Sequence, residues 1–380
     1  MHTQVKRPAD TKTSRILALD LLRGYFMVSI ILNHLQWYPN GFDFVAMRGS
    51  LFVSAAEGFF ILSGIILGIV RGRKMLHLPF RASVLAVLSR GVKLYIVSII
   101  LMLSFTFIGW LFIGNPGLKP GIRPIDESII DIIAGALTFN YLYGWADFLR
   151  LYAIFLIMSP LALWLLRKGK WYFVMAGSIA LWALFPWALL HTDNSAEVLM
   201  ALSWQLIFFG GLTIGFHWTD IKTWWDKRTQ KAKRLILIPI LSLASITLLA
   251  NILFSVFTAL GVGPESAKTL YDSLLLTVFN KEELPLPRLA LFALWFTLGL
   301  FIFTRFEPLL KKWFGWILIP FGTNSLYVYI LHAIILFFAH LIMAPEVGTN
   351  FFINFIGSTL VLGLILLAVR KRFLFKIIPR

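Results

Sequence analysis

The chain contains no cysteine, which rules out a disulfide framework, a thiol nucleophile and a cysteine metal site. Acidic residues are scarce as well, 18 against 35 Lys and Arg, and only 14% of residues carry charge, too few to clothe a soluble surface. What fills the 380 residues instead is apolar: 59% are hydrophobic, 16% are aromatic and the mean hydropathy is +0.81. This composition describes an all-α, polytopic integral membrane protein. The net charge of +17 would suit nucleic acid, but the basic residues lie in short clusters between apolar runs. Membrane topology accounts for them there, and no nucleic-acid partner is implied. There is no internal repeat, low-complexity tract or soluble second domain.

The apolar runs predict about ten transmembrane helices, at 16–36, 52–70, 90–113, 147–166, 171–190, 199–218, 235–260, 288–304, 317–343 and 351–370. Each is near the ~20 residues a bilayer requires. A single membrane domain over 16–370 is expected, between a tail at 1–15 and a basic tail at 371–380. The first run holds Asp20, Arg23 and His34 and lacks a small-residue cleavage pattern, so it is read as retained and not as a signal peptide. Placing both termini in the cytoplasm puts most Lys and Arg on the cytoplasmic side, with clusters at Arg71, Arg73 and Lys74, at Arg167, Lys168 and Lys170, at 227–234 and at 370–372. The short apolar segment 129–143 would invert every later loop if it crossed. It is therefore expected to be an interfacial or re-entrant helix on the periplasmic side, after a Gly- and Pro-rich turn region at 115–124.

The first span, DLLRGYFMVSIILNH at 20–34, carries an acid, a guanidinium and an imidazole. Arg23 and His34, eleven residues apart, lie within about 20° of one helix face and about 16 Å apart along the axis. Asp20 shares that face with Arg23. Ionisable groups at such depths point to function, although Asp20 and Arg23 would also serve as a plain anchor with His34 at the opposite boundary. The second span returns from the periplasmic side, so Glu57 is placed to face His34, orienting the ring and fixing its tautomer as a general base requires. Ser63, Gly64 and Gly68 read as small residues for close helix packing. Arg90 and Lys93 open the third span beside the basic loop 71–81. They read either as topogenic or lipid-binding charges or as a seat for a phosphate-bearing donor. Asp147 and Arg150, Trp204 and Gln205, and Arg288 lie near the periplasmic boundary; the Trp and the amide suit a sugar face or simply an aromatic belt. In the ninth span, Asn324, Ser325 and His332 join helices by default, with His332 alternatively lining the His34 cavity. His332 and His340, eight residues apart with no thiolate or carboxylate pair, do not make a haem or metal site.

These residues resemble a known family. The DLLRG run followed by His34, with GTNSLYVYILH at 322–332, is similar to the signature of type 3 membrane acyltransferases. SAAEGFFILSGIILG at 54–68, the run 147–169 and SWQLIFFGG at 203–211 resemble the OpgC-type branch, which succinylates osmoregulated periplasmic glucans. The resemblance implies a bacterial inner-membrane enzyme. It would move an acyl group, succinyl or acetyl, from cytosolic acyl-coenzyme A to a periplasmic or surface carbohydrate hydroxyl, with no cofactor beyond the donor. It implies Arg23 and His34 as the functional pair. The family's basic pair at the third span is usually two arginines, whereas this chain has Arg90 and Lys93, and lysine cannot make the bidentate phosphate contact.

A succinyl donor would need a cation for its second carboxylate; with Arg23 needed lower down and Arg48 in a loop, Arg150 is the best candidate, and its other reading is an ion pair with Asp147. The rival from another class is a transporter or exporter of a polar or lipid-linked sugar, with Asp20, Arg23, Glu57 and His34 forming its path. The topology is testable, because the cysteine-free chain permits clean single-cysteine labelling. Positions 117, 194 and 265 should react with an impermeant reagent in intact spheroplasts, and protection of position 194 would overturn the assignment.

Overall fold

The computed structural model describes residues 16–73, 75–145, 147–192, 195–259, 264–345, 350–375 and 377–379. The expected N-terminal tail 1–15, Lys74, Asn194 and the tail residues Lys376 and Arg380 lie outside them. The described residues form helices without strands: α1 (Leu17–Leu35), α2 (Asp43–Ala46), α3 (Ala55–Leu67), α4 (Phe80–Trp110), α5 (Ile129–Thr138), α6 (Asp147–Arg167), α7 (Trp171–Ala183), α8 (Phe185–His191), α9 (Ala196–Phe216), α10 (Trp218–Asp226), α11 (Gln230–Ala259), α12 (Glu265–Leu276), α13 (Leu286–Arg305), α14 (Glu307–Thr323), α15 (Ser325–Ile342) and α16 (Phe351–Arg370). Helix α3 continues through a wider turn, Gly68–Arg73. Nine helices among the described residues are long and apolar enough to cross a membrane. Helix α1, 19 residues long and diluted by its polar face, stands beside them. The protein is an all-α polytopic membrane protein.

Three expectations about spans change. Helix α4 begins at Phe80, ten residues before the expected start, so Arg90 and Lys93 sit inside the helix and not at its mouth. The fifth span divides at Leu184, ahead of Pro186. The expected ninth span, 317–343, is two helices that break at Asn324, where Pro320 disrupts the end of α14. Helix α13 runs antiparallel to α1, with Phe303 against Tyr25, whereas α15 runs parallel to it, with His332 against His34. Helix α14 therefore sits in the connection at the Arg23 end and does not add a crossing.

The inner bundle is α1, α3, α6, α9 and α15, while α11 and α13 turn most of their surface outward. Glycines set the closest contacts. Gly64 and Gly68 on α3 lie against the α9 backbone at Phe208 and Leu212, and Gly211 and Gly215 on α9 lie against Ile61 and Ile65. Any Cβ at these four positions would collide with a facing main-chain carbonyl, so two small-xxx-small faces interlock, as the α3 sequence suggests.

Helix α5, ten residues long, is too short to span and descends beside α4. Arg123 before it accepts at its carbonyl from Trp110 Nε1 (2.9 Å), and Leu137 near its end accepts from Tyr95 OH (2.8 Å). The non-helical return is walled in by protein, with Tyr141 and Tyr143 buried and Tyr141 OH bonded to Thr106. Burial in protein is one of the settings in which irregular backbone is tolerated at depth. The return delivers Trp145 and Asp147 to the His34 end of α1.

Candidate active site

His34 ends the polar face of α1, and its Nδ1 lies 3.1 Å from Nε2 of the fully buried His332. His332 Nδ1 bonds to the Tyr329 carbonyl one turn earlier on α15. A carbonyl only accepts, so His332 Nδ1 carries the proton, and in the neutral ring its Nε2 accepts from His34 Nδ1–H. That order leaves the lone pair of His34 on Nε2. Trp145 stacks on the His34 ring at 4.2 Å between centroids and 20° between planes. The third histidine, His340, is committed elsewhere: its Nε2 donates to the Leu35 carbonyl (3.1 Å).

His34 borders a cavity of about 380 Å³ shared with Trp145, Asp147, Tyr329, Lys281 and the Glu57–Arg288 pair's guanidinium side. Asp147 Oδ1 accepts from Phe148 N (2.9 Å) and from Tyr329 OH (3.5 Å). A second cavity of about 100 Å³ lies toward the other end of α1, lined by Arg23, Arg71 and Arg90 with Ser63 and Ser325. Arg23 Nε donates to the Gly322 carbonyl (2.6 Å), and its Nη2 lies 3.8 Å from Asp20. The buried Arg90 Nε has no hydrogen-bond partner among the described residues. Three guanidiniums with two hydroxyls suit an anion such as a phosphate. Phe59 borders both cavities.

Several sequence expectations give way here. Glu57 does not hold the His34 ring. Its Oε1 accepts from Arg288 Nε (2.7 Å) and Nη2, and its Oε2 accepts from Ser54 in a capping box that starts α3. A fully buried carboxylate takes the nearest fixed guanidinium, so the pair ties α3 to α13. Arg150 is neither at a mouth nor paired with Asp147; it is 2% exposed and donates to the carbonyls of Phe139 (3.3 Å) and Glu197 (2.7 Å). Trp204 is no sugar platform, being fully buried against Phe60 and Phe148 with Nε1 bonded to the Lys281 carbonyl (2.9 Å). Gln205 Nε2 donates to Ser178 O (2.7 Å), away from either cavity. Lys93 points outward, and Arg71 from the basic loop stands with Arg90 in its stead. His332 does meet His34, the alternative to simple helix bonding. Tyr329, Trp145 and Lys281 also line the larger cavity, and no sequence motif marks them as site residues.

The fold and the site define a multi-pass, all-helical membrane protein in which His34, bonded to the buried His332, borders a cavity, with an arginine cluster toward the far end of the same helix. A family model described as OpgC protein matches residues 15–377, so the chain belongs to the OpgC family. Neither the curated proteins nor the solved structures returned a match.

Glu57 and Arg288 form an ion pair in which both partners are buried. Breaking a buried pair leaves one charge stranded, at a cost of ~3–5 kcal/mol, while removing both charges is far milder. Glu57→Gln and Arg288→Met should each lower the thermal midpoint of the detergent-purified protein, and the double variant should recover at least half of the loss. Single variants as stable as the parent would contradict the pairing.

Proposed function

We propose that the chain is a membrane-bound O-acyltransferase that moves an acyl group from acyl-coenzyme A to a carbohydrate hydroxyl. The observation that carries this reading is the ordered His34–His332–Tyr329 hydrogen-bond series, which presents His34 Nε2 as a proton acceptor at an internal cavity. Family membership supports the acyl donor and the glycan acceptor as a class. The donor's phosphates dock on Arg23, Arg71 and Arg90, on the cytoplasmic side of a bacterial inner membrane. Its pantetheine arm runs along α1 past Phe59, covering the roughly 16 Å that separates eleven helical residues. The acceptor enters the larger cavity from the periplasm.

In the transfer step His34 Nε2 removes the proton from the sugar hydroxyl as its oxygen attacks the thioester carbonyl. The tetrahedral adduct collapses, the C–S bond breaks, and the coenzyme A thiolate leaves and takes the proton back from His34. Throughout, Nδ1–H stays bonded to His332, and the face of Trp145 is placed to stabilise the transient imidazolium. His332 is a positioning residue in this scheme.

General-base assistance is typically worth ~10²–10⁴ in rate. In cells, His34→Ala should therefore reduce base-labile ester on the surface glycans to near background by mass spectrometry, with protein level unchanged. His332→Ala should lower it less, because the base survives but loses its tautomer. Retention of most ester in His34→Ala would refute the role. Glycans missing from the envelope, and not merely unesterified, would favour export.

A further inference from the structure

The larger cavity holds several cations, and all but one are already neutralised. Arg288 pairs with Glu57, and Arg48 pairs with Asp43. Lys281 is the exception. It lines the cavity with its ammonium 4.9 Å from the Phe148 ring centroid, and no carboxylate among the described residues lies within ion-pairing distance of it. Desolvation, the largest influence on it, lowers its pKa from the usual lysine value, while the more distant Glu57 and Asp147 act in the opposite direction. The side chain is exposed along the cavity wall, and the protein around it desolvates the ammonium. A carboxylate arriving there would relieve a cost that the folded chain already bears.

Its backbone is held with unusual thoroughness for a connection between helices. Trp204 Nε1 donates to the Lys281 carbonyl (2.9 Å), and Ser203 Oγ donates to the carbonyl of Glu282. Arg288 Nη1 donates to Phe279 O (2.6 Å), and Trp182 Nε1 donates to Leu284 O (3.0 Å). Asn280 Oδ1 accepts from the amides of Glu282 and Glu283. Side chains from α7, α9 and α13 thus fix one short segment, and its lysine is presented to the cavity from a rigid base. The cavity's remaining carboxylate, Asp147, is engaged by Phe148 N and Tyr329 OH beside the histidine pair. The cavity is therefore polarised, negative beside His332 and positive at Lys281.

We propose that Lys281 selects a dicarboxylic acyl group, pairing its ammonium with the distal carboxylate of a succinyl-type donor while the thioester carbonyl lies at His34. The assignment rests on the acyl-transfer reading and gives the specificity role that Arg150 cannot fill to a residue from another helix connection.

The test uses membrane vesicles containing the full chain, a purified periplasmic glucan as acceptor, and three donors: succinyl-, acetyl- and succinamyl-coenzyme A, the last a neutral isostere of the first. The wild type should transfer succinyl at least about tenfold more efficiently than succinamyl, the equivalent of ~1.4 kcal/mol. Lys281→Gln should bring the succinyl-to-succinamyl and succinyl-to-acetyl ratios down by about that factor, and Lys281→Arg should restore them. The wild-type comparison alone decides the matter if the variant does not accumulate: equal use of succinyl and succinamyl overturns the assignment. Parallel loss of all three activities in Lys281→Gln, or unchanged ratios, also overturns it while leaving acyl transfer intact. No ester from any donor with the wild type would overturn both.

Discussion

A polar group inside a helical bundle in hydrocarbon has no water to fall back on, so its partner must come from the protein itself. The buried ionisable residues of this chain follow that rule. Arg23 is bonded to the backbone of α14, Glu57 to Arg288, Arg150 to two carbonyls, and His34 to His332. Each partnership crosses between helices, so satisfying the polar groups also fixes the bundle. His34 Nε2, Arg90 Nε and Lys281 Nζ are left over by these partnerships, and all three belong to residues that border the two cavities. The distinction between structural and functional charges follows from this accounting.

The two cavities divide the chemistry along α1. Arginines at one end suit a strongly charged, phosphate-bearing group, and the histidine end combines aromatic rings and a hydroxyl with Asp147, two paired arginines and Lys281. Phe59 stands between them, packed at 6.3 Å against Tyr329 and at 6.2 Å against Tyr152. A donor engaging both ends at once must be long, narrow and uncharged in the middle, which is the description of a pantetheine arm. The carboxylate series Asp147–Tyr329 and the imidazole series His34–His332 meet at Tyr329, whose carbonyl and hydroxyl serve one each.

Much of this was legible in the sequence, because it depends on local pattern. The α1 face is read from the spacing of Asp20, Arg23 and His34, the α3–α9 seam from Gly64 and Gly68, and the re-entrant 129–143 segment from its shortness. What was not legible is pairing over distance. Glu57 and Arg288 are 231 residues apart, and His34 and His332 are 298 apart. Glu57 and His34 share one end of adjacent helices, which made them look like partners, but their helices present them to different neighbours. Arg150 shares a helix face with Asp147, yet carbonyls at the end of α5 (Phe139) and the start of α9 (Glu197) take its guanidinium. Lys281, a single lysine beside two glutamates in a loop, carries no sequence signal; its role emerges only when neutralised cations are set aside.

The central claim is that His34 Nε2 couples loss of a sugar proton to cleavage of a thioester. Purified full-length protein in lipid nanodiscs, given acyl-coenzyme A and glucan, tests it through the stoichiometry of free thiol and glucan ester. The account predicts that thiol and ester appear one for one, that thiol release requires glucan, and that His34→Gln abolishes both. Glucan crossing a sealed bilayer without thioester consumption, or equal ester yield with His34→Gln, would contradict it.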